Sequence, residues 1–122
     1  MEWDIRIQAE EKYLEVITRG DADHESSFRM AKALTETMRQ KRITRVLIDH
    51  RQLESVSGGT IEIYHRPQLF RLIGIILGVK IAEIIPPEYL EHFHFFETVC
   101  RNQGFQIQIF QEKSPALNWL LQ

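Results

Sequence analysis

With one cysteine in 122 residues, no internal disulfide can form, so the fold must rest on its apolar core. A reducing cytoplasm is the expected compartment. Neither sign of charge is in excess: 15 Lys and Arg face 17 Asp and Glu, a formal charge of −2. A dedicated nucleic-acid binder carries a basic surplus to neutralise phosphates, so no nucleic-acid partner is expected. Long apolar runs are missing too. The longest, Leu72 to Val79, is bounded by Arg71 and Lys80 and falls far short of the roughly 18 residues of a membrane span. Met1-Glu2-Trp3-Asp4 has neither the basic nor the apolar region of a secretory signal. No Ser/Pro/Gly linker, charge block or internal repeat divides the chain, which reads as one domain over residues 1–122. Its 43% hydrophobic content is that of an ordinary globular protein and excludes disorder, collagen and coiled coil.

The periodicity alternates between two and about 3.6. Trp3, Ile5 and Ile7 alternate with polar neighbours, and so do Leu14, Val16 and Thr18; Glu10 to Lys12 joins them as a hairpin. Asp21 and Asp23 can cap a helix whose inner face is Phe28, Ala31, Leu34 and Met38. Arg45 to His50 contains the unbroken run Val46-Leu47-Ile48, the mark of a strand covered on both faces and thus of the sheet centre. Thr60 to Leu77 reads as a helix broken near Pro67. Val79 to Ile85 is a strand ended by Pro86 and Pro87, and Glu88 to Asn102 is a helix closed by Gly104. Phe105 to Phe110 is a last strand. Ser114 as cap and Pro115 at the first position open a final helix with Ala116, Leu117, Trp119 and Leu120. The order is ββαβαβαβα. Strands separated by helices need crossovers, so the sheet of about five strands is mixed and mostly parallel, with helices packed on it.

The strongest candidate site is the loop expected from Asp49 to Thr60, between a central strand and a helix, because ligands of open α/β sheets favour that end. Ser55, Ser57, Gly58, Gly59 and Thr60 are the candidate ligand or partner contacts. The two glycines let backbone N–H groups approach an anion, and Ser57 and Thr60 offer hydroxyls. The loop lacks the lysine and spacing of a P-loop, and a capped strand-to-helix turn is the plainer reading. Asp49, His50 and Arg51 are consecutive and alternate in direction, so they cannot all converge on one substrate; Asp49 is expected to cap the local backbone. His92 and His94 stand about 200° apart on their helix, a poor metal pair, and no metal is assigned. Cys100 follows the apolar rhythm of Tyr89, Phe93 and Phe96 and is expected in the core. The basic residues Arg39, Lys41, Arg42 and Arg45 complement a helix C-terminus. The segment Phe70 to Leu77 and the aromatic helix after it are apolar around much of their circumference. Phe70, Ile73, Leu77, Phe93 and Phe96 therefore form either buried packing or a surface for an apolar ligand or a second copy of the chain.

The element order, the Val46-Leu47-Ile48-Asp49 strand with its Gly-containing turn, and the closing Ala116-Leu117-Asn118-Trp119-Leu120 helix together resemble the STAS superfamily. The resemblance extends over nearly the whole chain and is nearest to bacterial SpoIIAA-like, STAS/SEC14-type domains. It implies a non-enzymatic regulatory or interaction domain that binds a protein partner or a small anionic or hydrophobic ligand, without a cofactor. In anti-sigma factor antagonists of the STAS type, an Asp-Ser pair at the start of the helix supplies a phosphorylated serine. Here the stretch reads Ser57-Gly58-Gly59, which sets Gly58 at the serine position; Ser57 or Thr60 substitutes only if the loop shifts. The SEC14-like side implies a lipid or apolar small-molecule carrier, with Phe70–Leu77 and Glu88–Asn102 as walls. An enzyme using Asp49 and His50 is the last alternative.

Overall fold

The computed structural model describes residues 1–57 and 78–122. The helix expected over Thr60–Leu77, and with it Gly58, Gly59, Thr60, Phe70, Ile73 and Leu77, lies outside the described residues.

The chain opens with strand β1 (Glu2–Gln8) and strand β2 (Tyr13–Ala22), then helix α1 (His24–Lys41) and strand β3 (Arg45–Val56). Strand β4 (Lys80–Ile84), a 3₁₀ turn (Pro87–Tyr89), helix α2 (Leu90–Asn102), strand β5 (Gln106–Phe110) and helix α3 (Lys113–Leu120) follow. The described strands form one sheet in the order β1-β2-β3-β4-β5. β1 pairs antiparallel with β2, and every later neighbour is parallel. This is the mixed, mostly parallel sheet expected from the sequence.

Side-chain alternation divides the core. Leu14 and Val16 of β2, Val46 and Ile48 of β3, Ile81 of β4 and Ile107 of β5 pack against Met30, Ala31, Leu34 and Met38 of α1 and Phe93, Phe96 and Cys100 of α2. On the opposite face, Tyr13, Leu47, Ala82 and Ile84 pack against Ala116 and Leu120 of α3. Val46-Leu47-Ile48 is apolar at every position because both faces of β3 are covered there. Asp23 caps α1 by accepting the Ser26 N–H at 2.8 Å. Arg42 closes that helix in the left-handed conformation, φ 55°, with its N–H on the Met38 carbonyl.

Several boundaries differ from the sequence reading, among them the end of β2, which runs past Thr18 to Ala22. β3 continues to Val56 instead of stopping at His50. Its second half pairs with the far end of β2, from Arg19 opposite Gln52 to Ala22 opposite Val56. It is polar because β4 pairs only as far as Ile84 opposite Asp49, which leaves, among the described residues, a ribbon of β2 and β3 with Ala22 and Leu53 as its buried apolar side chains. The last helix begins at Lys113, so Ser114 is not its cap. Glu112 holds that place without a side-chain bond, while Lys113 Nζ donates to Glu15 Oε1 at 2.8 Å and fixes the first turn to β2. Pro115 fits within that first turn, where no N–H is needed. Before α2, Pro87 to Tyr89 wind as a 3₁₀ turn, so the α-helix begins at Leu90.

Candidate functional site

The β2–β3 ribbon positions the two described serines of the candidate site. Ser55 lies within β3, opposite Asp21 in the parallel pairing, and Ser57 follows the last residue of the strand. Both hydroxyls donate to one carboxylate: Ser55 Oγ to Asp21 Oδ1 at 2.8 Å and Ser57 Oγ to Asp21 Oδ2 at 2.7 Å. The Ser57 N–H donates to the Ala22 carbonyl at 3.2 Å. The bonds from Ser57 and then Ser55 hold the Asp21 carboxyl below its ordinary range. On the other side of the ribbon the Tyr89 hydroxyl donates to the Glu54 carbonyl at 2.7 Å. The exposed end of the ribbon is therefore tied from both flanks, and Ser57 is presented at its tip. Ser55 stands in a strand and not in a loop, and its hydroxyl bonds Asp21.

Asp49, His50 and Arg51 alternate as expected. Asp49 accepts from the Arg51 N–H and Nε at 3.0 Å each, and from its second terminal nitrogen at 2.8 Å. Burial pushes the Asp49 carboxyl up, but the Arg51 bonds outweigh it and the net displacement is downward. His50 faces the opposite side of the sheet, buried at 4% exposure and stacked on Phe93 with ring centres 5.0 Å apart. Asp49 and His50 do not meet.

Phe93 and Phe96 are each 1% exposed and belong to the core beneath α2. Of the two alternatives open for these residues, buried packing and a surface, both take the first: their helix turns its Phe93-Phe96-Cys100 stripe onto the sheet. Phe95 is the exposed aromatic residue of that helix. Cys100 is buried as expected. Among the described residues no group of three His, Cys, Asp or Glu is arranged to hold a metal ion, and no helix is long and apolar enough to cross a membrane. Of the basic cluster, Arg39 and Lys41 lie in the last turn of α1 and Arg42 is its C-cap, while Arg45 donates to the Gln122 carbonyl. An open cleft of about 430 Å³ lies between α2 and β5, lined by Leu90, Glu91, His94, Ile109, Phe110 and Gln111.

The sequence reading did not find two features. Asp21 is the acceptor for both serines rather than a helix cap, and Glu83 is an acid buried at 2% exposure in the middle of β4. An acidic residue within the otherwise apolar stretch Ile81 to Ile85 is the sequence signal that points to Glu83. The serine–Asp21 pairing depends on the length of the ribbon, which local pattern does not reveal.

No protein-family model and no curated protein sequence matches the chain. Solved structures do. The anti-sigma factor antagonist SpoIIAA in its unphosphorylated form superposes with a TM-score of 0.58 at 12% identity, over 97% of this chain and 96% of that one. A protein of the DUF3478 family from Shewanella loihica PV-4, with a SpoIIAA-like fold, superposes with a TM-score of 0.58 at 22% identity, over 98% of this chain and 92% of that one. The resemblance drawn from the element order holds at the level of architecture: the chain takes the SpoIIAA-like fold over nearly its whole length.

Proposed function

We propose that the protein is a non-enzymatic regulatory domain of the STAS kind that binds a protein partner through the tip of the β2–β3 ribbon. The observation that carries this reading is the pair of serine hydroxyls given to the single Asp21 carboxylate at 2.8 and 2.7 Å, which holds an exposed surface in one conformation. A pre-set surface costs less ordering entropy on binding. Gly58, Gly59 and Thr60 follow Ser57 in the sequence. The non-enzymatic part of the reading is supported by the opposed directions of Asp49 and His50 and by the engagement of Asp49 with Arg51.

The same geometry gives phosphorylation of Ser57 a defined consequence. Esterification removes the hydroxyl proton that Asp21 accepts and adds about −1.5 to −2 charges beside that carboxylate. The ribbon tip is then released by repulsion and by loss of a bond, and its binding surface changes without disturbing the core. Thr60 is the second candidate for such a switch.

Photo-crosslinking in native cells tests the reading, with the crosslinker placed at the exposed Glu54 of the ribbon or at the exposed Glu36 of α1. The expected result is a discrete polypeptide adduct from position 54, none from 36, and its disappearance in Ser57→Asp with an unchanged circular dichroism spectrum. Equal adducts from both positions, or an unaltered adduct in Ser57→Asp and Thr60→Asp, contradict it. The carrier reading rests on one observation, the cleft between α2 and β5. It requires an acyl-chain probe to be displaced by crowding that cleft with Leu90→Trp.

A further inference from the structure

The sheet of described strands ends in β1 on one side and β5 on the other. An outer strand offers its backbone N–H and C=O groups to any further strand that meets it. On β1 side-chain charge stands in the way: Glu2, Asp4 and Arg6 put an exposed charge at every second position. β5 has no such protection. Phe105-Gln106-Ile107-Gln108-Ile109-Phe110-Gln111 contains no charge, proline or glycine, and its apolar side chains are interleaved with amides. Uncharged, β-prone segments of about six or seven residues pair readily with copies of themselves, and glutamine ladders add to that pairing.

The structure supplies a different obstacle. The Ile85 N–H donates to the Phe110 carbonyl at 2.8 Å, so Phe110 turns its backbone groups toward β4, and Ile109, one residue earlier, turns its own outward. That outward N–H is already taken. It donates to Glu97 Oε2 of α2 at 2.6 Å. Glu97 is 6% exposed and stands one helical turn after Phe93, which is anchored in the core, so packing sets its position. Its other oxygen, Oε1, lies 3.7 Å from Nδ1 of His94, whose side chain is 70% exposed. One oxygen of a buried carboxylate is thus spent on the strand in a charge-assisted bond, and the other lies beside an exposed ring.

We propose that Glu97 is an edge clasp: by holding the outward N–H of Ile109, it keeps β5 from pairing with β5 of a second copy of this chain. The strand itself specifies the occupant that is excluded. Pairing about a two-fold axis is antiparallel and sets the same uncharged pattern of apolar and glutamine side chains against itself, with no like charges opposed. Such pairing needs the Ile109 N–H, which lies within the strand and not at its end. While Glu97 occupies that donor, an incoming carbonyl oxygen meets a carboxylate oxygen, and neither has a proton to give. The helix that covers the core therefore also closes the edge. β4 and β3 separate β5 from β2 in the sheet, so the clasp acts apart from the partner surface proposed at the ribbon tip.

The test uses the whole chain and three substitutions. Glu97→Ala removes the acceptor, Glu97→Asp keeps the charge but draws it back by one methylene, and Glu97→Gln keeps an oxygen at the same reach. Sedimentation over a concentration series reads association relative to the unaltered protein. The clasp is read by amide exchange of Ile109 at concentrations below any association, and by the scalar coupling across the bond from Ile109 ¹⁵N to the Glu97 carboxyl ¹³C. The expected result is a measurable coupling in the unaltered protein, and Ile109 exchange at least about tenfold faster in Glu97→Ala and Glu97→Asp. Both variants then double in mass as concentration rises, whereas Glu97→Gln follows the unaltered protein in exchange and in mass. Adding Gln106→Lys to Glu97→Ala puts a charge on the strand and reverses the doubling, which association through an unfolded core would not do. Absence of the coupling, equal Ile109 exchange in Glu97→Ala and the unaltered protein, unchanged mass in the Ala and Asp variants, or a doubling that survives Gln106→Lys would overturn the proposal. Should Glu97→Ala not fold, Glu97→Asp is held to the same criteria, with Gln106→Lys added to it instead.

Discussion

On the face of the sheet covered by α1 and α2, Thr18, His50 and Glu83 are buried, and among the described residues the acid has an imidazole nitrogen at 3.9 Å. On the face covered by α3, the acids Glu15 and Asp49 are also buried, yet each meets a cation that keeps one side in water. Lys113 bonds Glu15 at 2.8 Å, and Arg51 grips Asp49 through two side-chain bonds. The difference follows from coverage. Among the described residues two helices of 18 and 13 residues cover the first face, whereas α3, on the second, has eight. A thin cover lets long basic side chains snorkel to solvent while neutralising the acids below them. Under the thicker cover no lysine or arginine pairs with Glu83 among the described residues.

The largest effect that separates the faces is expected from their apolar anchors. Phe93→Ala should cost about 3–5 kcal/mol in urea unfolding, since it leaves a cavity under α2 and removes the ring on which His50 stacks. Leu120→Ala should cost about 2 kcal/mol, the low end for such truncations, because α3 is short and relaxes into the space. Equal losses at the two sites would break the comparison. Next in size is Lys113→Ala, expected to cost about 1 kcal/mol: Glu15 stays buried, but the lost cation was partly exposed and screened. A loss as large as that of Phe93→Ala would mean that α3 depends on the ion pair more than on its apolar contacts.

The smallest effect concerns acid. Asp49 has a folded pKa below its unfolded value, so between the two values the unfolded chain binds more protons and stability rises with pH. Its contribution is complete above about pH 3.9 and is lost as pH falls below that towards the depressed folded value. Arg51 is exposed on its outer side, so the contribution is held to less than ~1 kcal/mol. Urea midpoints at about pH 3 and 6 should differ less in Arg51→Ala than in the unaltered protein. An equal difference would assign the acid response elsewhere.

The sheet was legible in the sequence because its central strand is apolar at three consecutive positions and its outer strands alternate. The boundaries were less so. β3 runs six residues past His50 in a stretch rich in polar side chains, and nothing local to Arg51 to Val56 separates a ribbon strand from a loop until β2 is seen beside it. For the same reason Ser55 was legible as a candidate but its bond to Asp21 was not, since that bond joins residues 34 positions apart. Phe93 and Phe96 show the converse. A helix with aromatics around its circumference leaves packing and surface both open until the sheet beneath it is placed, and then its inner stripe is core. The expected Ser114 cap failed because the tertiary contact from Lys113 to Glu15 sets the start of α3.

The central claim is that the ribbon tip engages a protein partner, and the most direct measurement is a native mass spectrum of the intact protein isolated from its own cells. The account predicts a complex with a second, different polypeptide that is absent when Ser57→Asp is isolated in the same way. A protein that emerges free of any polypeptide but carrying a lipid-sized mass would contradict it.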